Sequence, residues 1–506
     1  MNRSLVLVTV DCLRADRLGF AGYARPLTPF LDSLAESSIV FSDAIVAGAP
    51  TYFSFPGIMA SRHPFDLGRE VSGIAPGETT LATTLQVAGY ETAAFIAGNP
   101  YLTRRSGYDQ GFRQFEDFLG ADSLPEPDNV PTRMSARWSG LNRYLGRLSR
   151  GTKITSSLYQ EAYFWYCQRR SAGADLSMDR LRRYPSADVL VDAATRWLTE
   201  MPRRRFFLWI HLMDPHHPYY PPEEALQSLG ITHIARNRGR FLNSFWNRFD
   251  VSPKRLANYR NEVMTLYDAG VHWVDQHIGQ LVGTLVKSGH WKDTVFALTA
   301  DHGEEFLEHG RRYHSPQGLA EQLIRVPLLV RTPEISAPMK VAEPFSLIHL
   351  APTLLEAAGC RIPSTFRGSS LWREVSAGRI PKLNAVVECG DACNNPWSDT
   401  SRIRNRLMAV RTGEHKLVLR FGNAGEDLYN LRDDPAEMTP VPVGSQVEQR
   451  VRLLQLAGEH LRSSRQHRDS VLALRAQIRQ IRQRAGGQGA PADSWGHHRA
   501  AEVREA

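Results

Sequence analysis

Cysteine is scarce in this chain, and what little there is excludes a disulfide framework. Five cysteines stand among 506 residues, at Cys12, Cys167, Cys360, Cys389 and Cys393. They are odd in number and scattered, unlike the dense even sets of small secreted scaffolds. Cys389 and Cys393 could share a metal, but no second pair at zinc-site spacing accompanies them. Long apolar runs are also missing. No stretch reaches the roughly 18 residues that a membrane-spanning helix requires. The apolar start at residues 5–10 has no small-residue cleavage site and runs directly into Asp11. A secretory signal is therefore not expected, and a cytoplasmic location is. Internal repeats are absent, which excludes a solenoid or propeller.

What is present is the composition of an ordinary globular enzyme, with 42% apolar and 23% charged residues. The net charge of +8 could favour an anionic substrate, although the Arg-rich tail accounts for part of it. Nothing in the pattern indicates nucleic acid specifically. Apolar runs at residues 5–10, 92–97, 206–212, 294–299 and 326–331 read as buried strands. Amphipathic helical patterns lie between them. Thr28-Pro29 opens one, residues 81–88 form another ending at Gly89, and residues 263–286 and 347–358 are longer. This alternation predicts an α/β fold, a doubly wound, mostly parallel sheet with helices on both faces.

A main domain is expected over 1–378, with a helical insertion at about 120–200. Residues 406–411 and 415–421 read as a hairpin, so a small β-containing subdomain is expected over 379–444. The remainder, 445–506, reads as a helix over 447–481 followed by a disordered basic tail. That helix could mediate homo-oligomerisation.

Ligands of doubly wound sheets bind beyond the carboxyl ends of the strands. Asp11 follows the first run, His211 and Asp214 end the third, and Asp301-His302 follow the fourth. Core packing alone would not place ionisable groups at several strand ends. Asp301 and His302 can reach one cation from a turn that Gly303 allows to bend closely. Such mixed N/O donors suit zinc or manganese better than calcium, which remains open. A bland reading makes each of these acids a helix cap. Thr51 or Ser54, ahead of an apolar helix, could likewise be N-caps, or a nucleophile at a helix N-terminus. The run His211-Leu-Met-Asp214-Pro-His216-His217 is unusually dense for a structural loop. It could hold a second metal, contact an anion or protonate a leaving oxygen. His309 and His314 could converge on the same cavity.

Taken in order, these residues resemble the sulfatase family of the alkaline-phosphatase superfamily. The matching pieces include Val8-Thr9-Val10-Asp11-Cys12-Leu13-Arg14-Ala15-Asp16, Tyr108-Asp109-Gln110-Gly111-Phe112 and His211-Leu212-Met213-Asp214-Pro215-His216-His217-Pro218-Tyr219. Further along stand Thr299-Ala300-Asp301-His302-Gly303-Glu304, Ala351-Pro352-Thr353-Leu354 and Leu428-Tyr429-Asn430-Leu431, so the resemblance covers about residues 4–437. It implies a divalent metal held by Asp11, Asp301 and His302, with Thr51 as nucleophile and further ligand. It implies catalytic roles for His216 and His314 near the substrate's anionic group or leaving oxygen, and substrate contacts from Asn99, His211 and His217. A second metal at Asp214, His217 and His314 is an open alternative.

The departures narrow this. Sulfatases oxidise Cys or Ser in a Cys/Ser-x-Pro-x-Arg motif to formylglycine. Here the stretch is Thr51-Tyr52-Phe53-Ser54-Phe55, and threonine cannot give that aldehyde. Cys12 stands where a second metal-binding Asp is common. The expected activity is cleavage of a sulfate or phosphate ester through a covalent Thr51 intermediate, on an anionic small molecule, glycan or lipid. Alternatives are a phosphodiesterase or phosphoethanolamine-type transferase, and a non-catalytic binding protein on the same fold.

Overall fold

The apolar runs at 5–10, 206–212 and 294–299 become three adjacent strands buried along their whole length. Continuous burial is what a sheet covered on both faces imposes. The computed structural model describes residues 3–67, 73–120, 178–201, 204–316, 318–379, 381–391, 405–422 and 425–485. Most of the expected insertion, Cys167, Cys393 and the tail beyond 485 lie outside these residues.

The first strands are β1 Ser4–Val10, β2 Ile39–Ile45, β3 Glu91–Ile96, β4 Gln114–Glu116, β5 Phe206–Leu212 and β6 Thr294–Ala300. A two-stranded ribbon follows, β7 Glu305–Phe306 with β8 Arg312–Tyr313, then β9 Arg325–Arg331, β10 Met339–Val341 and β11 Phe345–Ser346. The central sheet has the order β10-β2-β9-β6-β1-β5-β3-β4, with β11 also on β2. It is mixed and mostly parallel. β9, expected as a strand, runs antiparallel to both β2 and β6. Periodicity carries no direction, so this reversal was not legible. β2 itself was not expected. Its run Ile-Val-Phe-Ser-Asp-Ala-Ile contains Ser42 and Asp43, which break the apolar pattern.

Helices cover the sheet where the patterns predicted them. Pro29–Ala35 buries Leu31, Leu34 and Ala35. Leu81–Val87 begins with a Thr80–Thr83 capping box and is followed by Gly89 at φ +84°. Arg260–Lys287 and Leu350–Ala357 supply further cover.

β12 Ala385–Asp391, β13 Asn405–Arg411, β14 His415–Arg420 and β15 Gly425–Asn430 form a separate antiparallel sheet. Its two faces serve different cores. Val387, Cys389 and Ala409 pack into the main core. Met408, Val410, Leu417 and Leu428 pack against Leu453 and Ala457 of the helix Val447–Ala485. The start of that helix thus has an intramolecular role in covering the small sheet. No described helix is long and apolar enough to cross a membrane.

Candidate active site

Sheet register assembles the site. Val10 of β1 lies level with Ala300 of β6 and Leu212 of β5. The next residues, Asp11 and Asp301, therefore leave neighbouring strands side by side, about 4.8 Å apart in the pairing direction. β2 delivers Thr51 to the same edge, through the turn that starts the helix Thr51–Ala60. Pro50, not Thr51, holds the N-cap position. Thr51 is the first helical residue, and its side chain does no capping. Its Oγ1 lies instead 3.1 Å from His302 Nε2.

His302 is fixed on both sides. Its backbone N–H donates to Asp301 Oδ1 at 2.9 Å, and its Nδ1 lies 2.9 Å from the Gly303 carbonyl. With Nδ1 facing that carbonyl, Nε2 is the atom turned towards Thr51, Asp11 Oδ1 at 3.6 Å and Asp301 Oδ2 at 3.5 Å. Gly303 is obligatory here, because a Cβ would overlap the Gln322 carbonyl. Cys12 takes φ +61°, which turns the chain sharply after Asp11.

Asp11, Asp301 and His302 are fully buried, and one ligand atom from each lies within 4.8 Å of the others. Among the described residues no Lys or Arg pairs with either carboxylate. Asp301 Oδ2 is buried without a hydrogen-bond partner. Two carboxylates pressed together are costly unless a cation joins them. Burial, and then the adjacent Asp11 charge, push Asp301 up to about 6. Burial also opposes the charge on Asp11, but His216, His211 and His302 hold it well below the ordinary carboxylate range. These donors, with the Thr51 hydroxyl, fit a divalent cation.

Asn99 was expected to contact a substrate oxygen. It donates instead from Nδ2 to Asp11 Oδ2 at 2.9 Å, and its Oδ1 accepts the Tyr101 N–H at 3.0 Å. His211, also expected on the substrate, is buried with Nδ1 at 2.9 Å from Thr9 Oγ1 and Nε2 at 3.4 Å from Asp11 Oδ2. Both hold the carboxylate in place. Phe55, at the position of the family's Arg, packs edge-on against His211 at 5.2 Å between ring centroids.

His216, His217 and His314 do come together. His216 and His217 stack at 4.4 Å, and His314 lies 4.9 Å from His216 and 4.6 Å from His302. Their ligand atoms form a second cluster within 4.8 Å. Asp214 is not part of it. Its Oδ1 accepts from Ser186 Oγ at 3.1 Å and from the Ala187 N–H at 3.2 Å, anchoring the start of the helix Ala187–Glu200. In the alternative Asp214–His217–His314 grouping, His216 thus stands in the place of Asp214. His309 is also turned away, with Nε2 at 3.3 Å from Gln322 Oε1.

The sequence reading gave Glu304 no role. It is fully buried, bonds His314 Nδ1 through Oε1 at 3.1 Å, and accepts from Tyr219 through Oε2 at 3.1 Å. Burial pushes its carboxyl up to about 7. Its place directly after Asp301-His302-Gly303 was the available signal. Cys12 Sγ lies 3.2 Å from Asp11 Oδ1 and 3.3 Å from His314 Nδ1. Burial, then the charges of Glu304 and Asp11, push its thiol well up. Cys389, weighed as a metal ligand, instead points its Sγ at the Pro316 carbonyl at 3.2 Å.

Comparison with protein families matches residues 3–360 to the family described as Sulfatase, and residues 308–464 to N-sulphoglucosamine sulphohydrolase, C-terminal. An N-acetylglucosamine-6-O-sulfatase of Bacteroides thetaiotaomicron is 27% identical over 200 residues, covering 39% of this chain and 35% of that protein. Arylsulfatase K of Xenopus laevis is 27% identical over 279 residues, covering 50% of this chain and 51% of its own. The chain thus spans about half, or less, of the length of these relatives. The crystal structure of a phosphonate monoester hydrolase of Agrobacterium radiobacter aligns with a TM-score of 0.61 at 19% identity, over 92% of this chain and 96% of that one. That likeness extends the shared fold across both sheets.

Proposed function

The chain belongs to the sulfatase family, and on that premise we propose that it is a metal-dependent ester hydrolase that uses Thr51 as its nucleophile. The observation that carries this is the placement of Thr51 Oγ1 at 3.1 Å from His302 Nε2, at the mouth of a buried donor set with no fixed cation of its own. Asp11, Asp301 and His302 would hold the ion, zinc or manganese by their mixed N/O chemistry, with calcium, which prefers oxygen donors, as the alternative. When bound, a divalent ion lowers the pKa of an adjacent hydroxyl and offsets charge on non-bridging oxygens.

The protein's own groups supply the rest. Thr51, first residue of its helix, presents Oγ1 where the helix N-terminus favours an anion. Its deprotonated Oγ1 forms a bond to sulfur or phosphorus, and the bond to the leaving oxygen breaks on the opposite side. His216 Nδ1 is tied to the His217 carbonyl at 2.5 Å, which leaves Nε2 as the atom that gives a proton to that oxygen. Burial depresses His314 well below the ordinary imidazole range, and Glu304 fixes its Nδ1. His314 therefore offers Nε2 as an acceptor, suited to taking a proton from the water that cleaves the intermediate.

Threonine offers the intermediate only one oxygen. Release must therefore come from attack at sulfur or phosphorus, which favours a phosphorus centre. The relatives named for sulfated substrates keep sulfate esters as the other class, and an alcohol in place of water would make the reaction a transfer.

The test is turnover of aryl sulfate, phosphate monoester and phosphodiester with zinc, manganese or calcium, for wild type, Thr51→Ala and Ser54→Ala. Thr51→Ala should lose turnover while still binding metal. Full activity in Thr51→Ala with loss in Ser54→Ala would overturn the nucleophile. Absence of turnover with every pair would favour a binding role.

A further inference from the structure

Away from the sheet edge, a second set of metal-type donors is buried where three parts of the chain meet. His63 follows the helix Thr51–Ala60, Glu388 lies in β12, and His460 sits on the helix Val447–Ala485. They are 4%, 0% and 9% exposed, and one ligand atom from each lies within 4.8 Å of the others. The imidazoles meet at 4.4 Å between ring centroids. His460 Nε2 is 2.9 Å from Glu388 Oε1, which Arg406 also contacts.

The cluster leaves polar atoms unused. His63 Nδ1 and Glu388 Oε2 are buried without a hydrogen-bond partner. An unsatisfied buried imidazole nitrogen and carboxylate oxygen each carry an uncompensated desolvation cost, and a cation between them would remove it.

We propose that His63, Glu388 and His460 form a second divalent-metal site, structural in role and suited to a borderline cation such as zinc. Two imidazoles and one carboxylate are a recurrent zinc ligand set, with a water completing four-coordination. The ion clamps the segment after the Thr51 helix and the C-terminal helix onto the small sheet. Glu388 N–H already donates to the Ala47 carbonyl at 3.0 Å, so the clamp bears on the turn that delivers Thr51. Arg406 is the competing cation at Glu388. Its guanidinium, while it contacts Glu388, also lies over the rings of Phe65 and Phe421, at 5.2 and 5.8 Å.

The test is zinc binding to the full chain by equilibrium dialysis, with thermal unfolding as a second readout. It is run in the Asp301→Asn background, so the result does not depend on the catalytic reading. Asp301→Asn should bind zinc and gain thermal stability from it. Adding His63→Gln or His460→Gln should remove one equivalent and the gain. Adding Arg406→Gln, which keeps all three ligands, should tighten binding by about tenfold through loss of one nearby charge. Equal zinc content with and without His460→Gln overturns the proposal, as does unchanged affinity in Arg406→Gln. In that case His460–Glu388–Arg406 is a hydrogen-bonded ion pair and nothing more.

Discussion

Two buried groups of charges differ in how they are balanced. Where the small sheet meets the main one, Lys416 Nζ lies 3.2 Å from Glu321 Oε1 and also pairs with Glu437. Arg411 bonds Asp43 at 3.0 Å and Glu321 at 3.3 Å. Every carboxylate there meets a fixed cation. At the edge of the central sheet, Asp11 and Asp301 meet none among the described residues. The first group is an internally neutralised joint. The second has only histidines beside it, His211 and His302, and no fixed Lys or Arg among the described residues. Burial alone does not separate the two groups; the source of the counter-charge does.

The largest test of that contrast removes a carboxylate from the open group. Asp301→Asn should lower ester turnover by at least the roughly 10²–10⁴-fold typical of losing a catalytic group, with metal content falling in parallel by metal analysis. Folding should be retained, since no ion pair to Lys or Arg is lost. The opposite pattern is expected at the joint. Lys416→Met removes the cation of Glu437 and leaves Glu321 with Arg411 alone, and should cost about 3–5 kcal/mol in denaturant unfolding, while metal affinity per folded molecule stays the same. Similar stability in the two variants would break the comparison.

Two smaller effects sharpen it. Asn99→Ala frees Asp11 Oδ2 and should weaken metal binding by about 10–100-fold, as loss of a group that orients a ligand does. An unchanged affinity would return Asn99 to the substrate. Within the joint, Asp43 is the member that pairing compensates least. Burial pushes it up to about 6 despite Arg411. A raised carboxyl is neutral in the folded protein where it is already ionised in the unfolded chain. Stability is therefore fully present below about pH 4 and is lost as pH rises through about 6. Asp43→Asn should accordingly match wild type at pH 4 and exceed it by about 3 kcal/mol at pH 8, read by urea unfolding at each pH.

Much of this was legible because the strands that carry the site are buried on both faces. Their unbroken apolar runs marked β1, β5 and β6, and so marked Asp11, His211 and Asp301 as strand-end residues. β2 was hidden because Asp43 interrupts it, and its partner Arg411 lies in a strand far along the chain. Asp214 looked like a ligand beside three histidines, yet its oxygen serves a helix that begins upstream. The sequence showed His63 as an isolated histidine, since Glu388 and His460 reach it only through the tertiary fold. Local pattern reports which groups leave a strand. It does not report which distant group has already claimed them.

The register that sets Asp11 beside Asp301 also has a kinetic consequence. The two residues lie 290 positions apart in the chain (301 − 11), so their pairing closes a very long loop and belongs to the late, non-local part of folding. An ion that needs both carboxylates therefore binds the finished sheet and not its fragments. By mass action it stabilises the folded state alone. The protein's resistance to unfolding should thus track the free metal around it, and the same sheet edge would report whether the fold has closed correctly.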